Sequence, residues 1–336
     1  MQKILGDYMK KLFLLLLIFM STTTVFAQTI RIGTVAPAGS IWERALKEVA
    51  AEWTRISNGR INVIIHAGGT MGDEENILRQ MRLGRLHAAA FTPYGMKNIS
   101  DDLFVLSIPM LIKDDEEFDF VFERIRPSFE RELRRNGFVA LGWTNTGWVR
   151  WFSRTKVLYP DDLRRIRLAV DRVDQSAIQV MQRSGFRVIP LNFIDIGLGL
   201  QNNMVDATFL TPYAVSAMGI TRHIPFMLDM PISPVYCLLV MDERAWRRID
   251  ERYRPMILQR TAEIFREFYP RMIEAENAGI EVMRRQGFTV VPVTQSALAE
   301  WEQVIGESVG PYKQQTFSPQ IQAEVRRYID EFRRSR

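Results

Sequence analysis

The sequence predicts an α/β fold in two lobes, and three observations lead to that prediction. Strand and helix patterns alternate along two successive stretches, as in parallel sheets covered by helices. The chain has 336 residues, well beyond the roughly 100–200 residues of a usual single domain. It contains neither a low-complexity tract nor a flexible linker, so several ordered crossings should join the lobes and allow hinge motion.

The predicted elements fall into two α/β units. Apolar runs bounded by Gly, Asn or Ser predict strands, and apolar residues at helical spacing predict helices. In the first unit the strands are predicted at 30–35, 61–66 and 86–91, with helices at 41–56 and 73–83. In the second, strands are predicted at 138–143, 148–153, 166–170, 187–190 and 206–210, with helices at 173–183 and 194–203. A buried strand at 235–241 is predicted to return to the first unit. A further strand is predicted at 288–293, and helices are predicted after Thr294 and after Pro319.

A long helical segment follows residue 252. It has few helix breakers, although Pro270 would kink or divide it. A continuous helix there would be roughly 50 Å long, enough to lie across both lobes. We therefore predict lobe I at 28–150 plus about 232–252, lobe II at 151–231 plus about 288–310, a connecting helix at 253–287 and a C-terminal helix at 311–336.

The N-terminus has the pattern of a secretory signal peptide. Lys10 and Lys11 precede an apolar run from residue 12 to 20, and the stretch Val25-Phe26-Ala27 ends it with a small residue. The run is about half the roughly 20 residues of a membrane span. We predict a signal peptide at 1–27, cleavage after Ala27, and a periplasmic protein.

The composition argues against an enzyme, a metal site or a nucleic-acid partner. The histidines His66, His87 and His223 have no Cys, His or carboxylate at metal-ligand spacing. The lone Cys237 lies in an apolar run and is interpreted as a core residue. Neither a nucleophile elbow nor a phosphate-binding loop is present. The net charge is +5, with Arg interspersed among Glu and Asp. We expect no catalytic residues and no cofactor.

Five segments in order resemble one family. They are Ile32-Gly33-Thr34-Val35-Ala36-Pro37, Gly68-Gly69-Thr70-Met71-Gly72, Leu106-Ser107-Ile108-Pro109-Met110-Leu111, Pro160-Asp161-Asp162-Leu163-Arg164 and Leu200-Gln201-Asn202-Asn203-Met204-Val205-Asp206. Together they resemble the DctP-type substrate-binding proteins of tripartite ATP-independent periplasmic (TRAP) transporters. The likeness runs from about residue 30 to about residue 310.

This resemblance implies a periplasmic-binding-protein-like fold. Two α/β lobes would surround a ligand cleft, with crossing strands and a long helix spanning both lobes. It also implies delivery of a small organic ligand to integral membrane subunits driven by an ion gradient. Some branches of the family work with a tetratricopeptide-repeat accessory protein, so such a partner is a further hypothesis.

One departure from the family pattern concerns the ligand. Most members bind carboxylates through an Arg on the strand after the Asp-Leu-Lys-Gly segment, and the resemblance places Ala169 at that position. Arg167 shares a strand face with Ala169, and Arg172 lies just beyond it. The resemblance places either Arg150 or Val149 where the family often has a second ligand-contacting Arg. Whether one of these three replaces the missing Arg stays open at this point.

Aromatic residues accumulate where the family contacts ligand. Their alternative interpretation is ordinary core packing, but together with Ala169 they predict a hydrophobic or amphipathic ligand. The candidate ligand-binding residues are Tyr94, Trp148, Arg150, Trp151, Ala169, Phe193, Phe209 and Tyr213. A rival hypothesis is a periplasmic ligand sensor or protein-interaction scaffold on the same fold, with the aromatics on an exposed patch.

Overall fold

The computed structural model describes residues 28–336, and the predicted signal peptide lies outside them. The described part of the chain is an α/β structure, which confirms the predicted fold class. In this part no helix combines the length and the apolar character needed to cross a membrane.

The strands form one ten-stranded arrangement divided between two lobes. The strands are β1 Gln28–Thr34, β2 Ile61–His66, β3 Ala88–Phe91, β4 Phe138–Ser153, β5 Arg167–Asp171, β6 Arg187–Leu191, β7 Ala207–Leu210, β8 Phe226–Asp229, β9 Ser233–Asp242 and β10 Thr289–Pro292. Lobe I has the order β2-β1-β3-β9-β4, and lobe II continues β4-β7-β5-β6; β8 pairs with β4, and β10 pairs with β8. Parallel pairing of β1 with β2 and β3, and of β5 with β6, fits the two predicted α/β units.

Helices cover these sheets and bridge them. They are α1 Ile41–Ile56, α2 Glu74–Arg82, α3 Pro93–Lys97, α4 Asp115–Arg135, α5 Pro160–Arg164, α6 Gln175–Arg183, α7 Ile196–Gln201, α8 Pro212–Ala217, α9 Glu243–Arg248, α10 Arg254–Arg285, α11 Gln295–Thr316 and α12 Pro319–Arg334. Short 3₁₀ turns lie at Asp101–Ser107, Phe193–Asp195 and Thr221–His223. The predicted starts of α1 and α2 are capped by Ser40 and Asp73, whose side chains accept backbone N–H groups of the first turn.

Strand β4 belongs to both lobes. Its residues 138–149 pair with β9, whereas residues 150–153 pair with β7 and β8. The prediction of two separate strands at 138–143 and 148–153 was wrong. The polar segment between them is an irregularity in the pairing, where the register shifts between Asn145 and Trp148 and Gly147 adopts a φ of 98°.

Helix α10 also contacts both lobes and runs unbroken through Pro270. Near its start, Thr261 accepts a hydrogen bond of 3.0 Å from the indole of Trp53 in lobe I. Near its end, Met283 packs with Ile224 and Phe288 in the core of lobe II. The helix therefore ties together the same two lobes that β4 joins.

The C-terminal region has two helices, at the places predicted after Thr294 and after Pro319, rather than one helix over 311–336. Helix α11 runs through Pro311 to Thr316, and α12 starts anew after Ser318, whose side chain caps it. The Ser-Pro pair at the start of α12 is a strong helix-start signal and explains the break. The four-residue strand β8 was missed as well, since its short apolar run follows Pro225 without a clear alternation.

A substitution at Gly142 in β4 tests how closely α10 packs on this strand. A Cβ at Gly142 would lie 2.8 Å from the ring of Phe265 and 2.9 Å from Thr261, both buried in α10. Gly142→Ala should lower the free energy of unfolding by about 1–3 kcal/mol through overpacking. Gly306→Ala is the matched control, because nothing lies within 4 Å of its Cβ in α11 and Ala favours helix. Urea unfolding would give the free energy of unfolding of both variants. Equal values for the two would contradict the close packing of α10 on Gly142.

Candidate ligand-binding cleft

A cavity of about 270 Å³ is lined by both lobes. This volume lies just below the roughly 300–1,000 Å³ typical of small-molecule sites. Residues that follow the carboxyl ends of β1 and β3 line it in lobe I, including Val35 and Tyr94, and the carboxyl end of β5 lines it in lobe II. Ligands of α/β proteins bind at such strand ends.

Apolar side chains dominate the lining of this cavity. Aromatic rings come from several elements: Phe104, Trp151, Phe193, Phe209, Phe268 and Trp301. The rings of Trp151 and Trp301 stack with centroids 5.6 Å apart, and Trp151 meets Phe209 edge-on at 5.4 Å. Trp151, Phe209 and Trp301 thus form a packed aromatic cluster on the lobe II side of the cavity.

Five of the eight predicted ligand-binding residues line the cavity. They are Tyr94, Trp151, Ala169, Phe193 and Phe209. Cys237, interpreted from sequence as core, also lines it, and burial raises the pKa of its thiol to about 12. The sequence analysis missed Trp42, Trp301 and Tyr312. Trp301 and Tyr312 lie far along the chain on α11, whereas Trp42 follows the first matched motif closely and fits the amphipathic pattern of α1.

Trp148, Arg150 and Tyr213 lie outside the lining, so their placement in the cleft needs correction. Successive residues of a strand point to opposite faces, and Val149 and Trp151 face the cavity. Trp148 therefore points away and donates from its indole to Asp115 at 2.8 Å. Tyr213 packs against Trp42, which lines the cavity. Its hydroxyl accepts a hydrogen bond of 2.8 Å from the Ile41 amide, and its ring contacts the Trp42 ring edge-on.

All three arginines that were candidates to replace the family Arg are paired with carboxylates outside the lining. Arg167 makes two hydrogen bonds of 2.8 Å to Asp206. Arg150 lies 3.3 Å from Asp229 and 3.8 Å from Glu276.

Arg172 makes its ion pairs across the cleft. From lobe II it reaches Asp73 at 3.1 Å and Glu75 at 2.8 Å, both at the start of α2 in lobe I. Among the residues that the structure describes, the cavity lining contains no Arg, Lys or His.

Two carboxylates line the cavity instead. Asp174 is buried and satisfied, since it accepts from Ala177, from the Tyr312 hydroxyl at 2.8 Å, and lies 3.5 Å from Lys97. Asp171 accepts one bond, 3.0 Å from the Val173 amide. Burial, and then the nearby charge of Asp174, raise the pKa of Asp171 to about 6. The charged groups of the lining are therefore acidic.

Two indole N–H groups of residues that line the cavity have no hydrogen-bond partner among the described residues. Trp42 in lobe I and Trp151 in lobe II both line the cavity, and the Nε1 atom of each is buried. An unsatisfied buried donor costs roughly 1–3 kcal/mol. Because each Nε1 atom is itself shielded from the cavity, the two rings present their apolar faces and edges to it.

Next to the cavity, Glu74 is buried against the loop after β3. Its carboxylate accepts from the Thr92 amide at 2.7 Å and the Thr92 hydroxyl at 2.6 Å. A Cβ at Gly95 would lie 2.6 Å from this carboxylate, so only glycine fits there. Burial raises the pKa of Glu74 to about 7, although the bonds from Thr92 oppose the shift.

Residues 32–315 match the family model of the DctP proteins, described as bacterial extracellular solute-binding protein, family 7. The chain belongs to this family, which confirms the resemblance seen in its motifs. A curated relative is a solute-binding protein of Chromohalobacter salexigens, 24% identical over 187 residues. That match covers 55% of each chain, so it spans about half the length of the relative.

Solved structures share the fold over nearly their whole length. The sugar acid binding protein of Advenella mimigardefordensis, in complex with galactonate, has a TM-score of 0.84 at 15% identity, covering 92% of this chain and 99% of its own. A TRAP periplasmic solute binding protein from Desulfovibrio salexigens, with bound orotic acid, has a TM-score of 0.83 at 16% identity, covering 91% and 99%. These likenesses confirm the two-lobe, periplasmic-binding-protein-like fold.

The family has a general class of function. TRAP solute-binding proteins bind small molecules outside the cytoplasm and work with membrane components, and they are not enzymes. The family thus agrees with the expected extracytoplasmic location and with the absence of catalytic chemistry in the motifs.

The raised pKa of Glu74 predicts how stability depends on pH. Its pKa in the folded chain, about 7, exceeds the ordinary value of 4.5, so the fold favours the protonated carboxyl. The stabilisation is complete below about pH 4.5 and is lost as the pH rises through 7. Glu74→Gln keeps an acceptor for the Thr92 amide and should flatten the fall in unfolding free energy between pH 5 and pH 8 by on the order of 2 kcal/mol. Urea unfolding at pH 5 and pH 8 measures this difference in unfolding free energy. Parallel pH profiles for the variant and the wild type would contradict the role of Glu74.

Proposed function

We propose that this chain is a TRAP-type extracytoplasmic solute-binding protein whose cleft takes a small hydrophobic or amphipathic ligand. It would deliver this ligand to the integral membrane subunits of a secondary transporter. The single observation that carries the proposal is the lining of the cavity, which is largely aromatic and aliphatic and has no cationic side chain among the described residues.

The chemistry of the lining disfavours a carboxylate ligand. A carboxylate transferred from water into this cavity would lose its hydration without gaining a guanidinium or ammonium partner. It would also face the carboxyl groups of Asp171 and Asp174. An apolar body gains roughly 25 cal/mol per Å² of buried surface, which the aromatic walls supply.

Ala169 is central to the proposal. It is 2% exposed, lines the cavity, and stands where the resemblance places the carboxylate-binding Arg of the family. Arg167, two residues earlier, would have to give up both bonds to Asp206 to serve instead. We therefore propose an atypical branch of the family that lacks the carboxylate clamp.

The solved relatives support the mode of binding more than the ligand. Their ligands, such as galactonate and orotic acid, are acids held by those proteins. An acid is therefore the main rival ligand for this chain, and the experiment has to separate the two. The sensor or scaffold hypothesis expected an exposed aromatic patch, whereas Trp151, Phe193 and Phe209 line a cavity between the lobes. A tetratricopeptide-repeat partner stays a prediction.

Ala169→Arg tests the apolar cleft. The new guanidinium would fill apolar space and place a charge in the cavity, beside Asp171 on the same strand face, and should weaken binding of a lipophilic ligand by at least about tenfold. Protein purified from its host should carry a lipophilic small molecule, detected by native mass spectrometry and organic extraction, and Ala169→Arg should lose it. Ala169→Leu is the size control, because it fills space without adding charge, and circular dichroism verifies that both variants fold.

The rival ligand is tested on wild-type protein, so the result does not depend on the folding of any variant. Galactonate, glucuronate and succinate should show no measurable heat of binding in calorimetry. Tight binding of any of these acids by the wild type would contradict the apolar cleft.

A further inference from the structure

A second, smaller cavity adjoins the main one. Its volume is about 20 Å³, enough for one water-sized group. Four residues line both cavities: Val35, Tyr94, Asp171 and Phe193. The small cavity is therefore a side pocket at the lobe junction, and Asp171 lies where the two meet.

The side pocket is acidic and polar, unlike the main cavity. Carboxyl groups of Asp73, Glu74, Glu75 and Asp171 line it, together with the amides of Asn98 and Asn192. Arg172 pairs with Asp73 and Glu75 at its edge, through a side chain that is 45% exposed. Glu74 is occupied by its two bonds from Thr92.

Asp171 is the acceptor that stays available at this junction. One of its oxygens accepts from the Val173 amide, and the other has no hydrogen-bond donor among the described residues. Asp174, the other acid of the main cavity, is by contrast satisfied by Ala177 and Tyr312. A small group that donates hydrogen bonds would fit the volume, the charge and the free acceptor.

We propose that the ligand places a hydrogen-bond-donating head group, a protonated primary amine, in this side pocket against Asp171, with its apolar body in the main cavity. This inference rests on the proposed function, since it assumes an apolar ligand body. It narrows the ligand from hydrophobic or amphipathic to a cationic amphiphile. An ammonium group has three donors and the size of one water, and the free carboxylate oxygen of Asp171 favours its charge.

Three probes with one apolar body separate the head groups: octylamine, 1-octanol and octanoate. Calorimetry at pH 7 should rank octylamine tightest, about tenfold tighter than 1-octanol, and octanoate weakest. Asp171→Asn keeps the oxygen that accepts from Val173 but loses the charge. It should remove the advantage of octylamine and leave the affinity for 1-octanol within about threefold. Asp229→Asn, a carboxylate outside both cavities, should retain the wild-type ranking.

The outcomes separate this inference from the function on which it rests. Octanoate binding as tightly as octylamine, or an amine preference that survives Asp171→Asn, would overturn the head-group inference. Equal binding of 1-octanol and octylamine would overturn it too, with the apolar cleft intact and a water as occupant of the side pocket. Failure of all three probes to bind would overturn the apolar cleft itself, and the head-group inference with it.

Discussion

The pairing of β4 with both sheets is the constraint on which the rest of the structure depends. One 16-residue strand supplies an edge to lobe I through β9 and an edge to lobe II through β7 and β8. Because side chains alternate along it, Val149 and Trp151 face the cavity. Trp148 and Arg150 point the other way, toward Asp115 and Glu276. The same backbone thus separates an apolar inner face from a charged outer one.

The arrangement of charge follows from that separation. Each of the three arginines considered as replacements for the family Arg is paired with a carboxylate outside the lining. Their pairing keeps them from the cavity, where the exposed charge is acidic rather than basic. The cavity consequently presents mostly apolar surface, with carboxyl groups at the end where the two cavities meet.

Much of the fold could be predicted from the sequence, because local signals and periodicity agree. Ser40 and Asp73 mark helix starts, and helix 41–56 lies where its apolar spacing predicts. The continuity of β4 was missed because the polar segment with Asn145 and Gly147 has the local sequence of a turn. Only the pairing with β9, which is distant in sequence, holds this segment within one strand. The site was predicted in part: Ala169 and Phe209 are local to matched motifs, whereas Trp301 and Tyr312 reach the cavity only through the packing of α11.

The contact of Arg172 with Asp73 has a consequence for the exchange of ligand. Asp73 uses one carboxylate oxygen to cap α2 through Asn76 and offers the other to Arg172. When the lobes part, the capping bond remains, and the helix N-terminus still balances the negative charge. Arg172 is already half in solvent, so it regains its hydration at once. The ion pair across the cleft is therefore inexpensive to break, and it adds little to the closed arrangement beyond what the apolar contacts between the lobes supply.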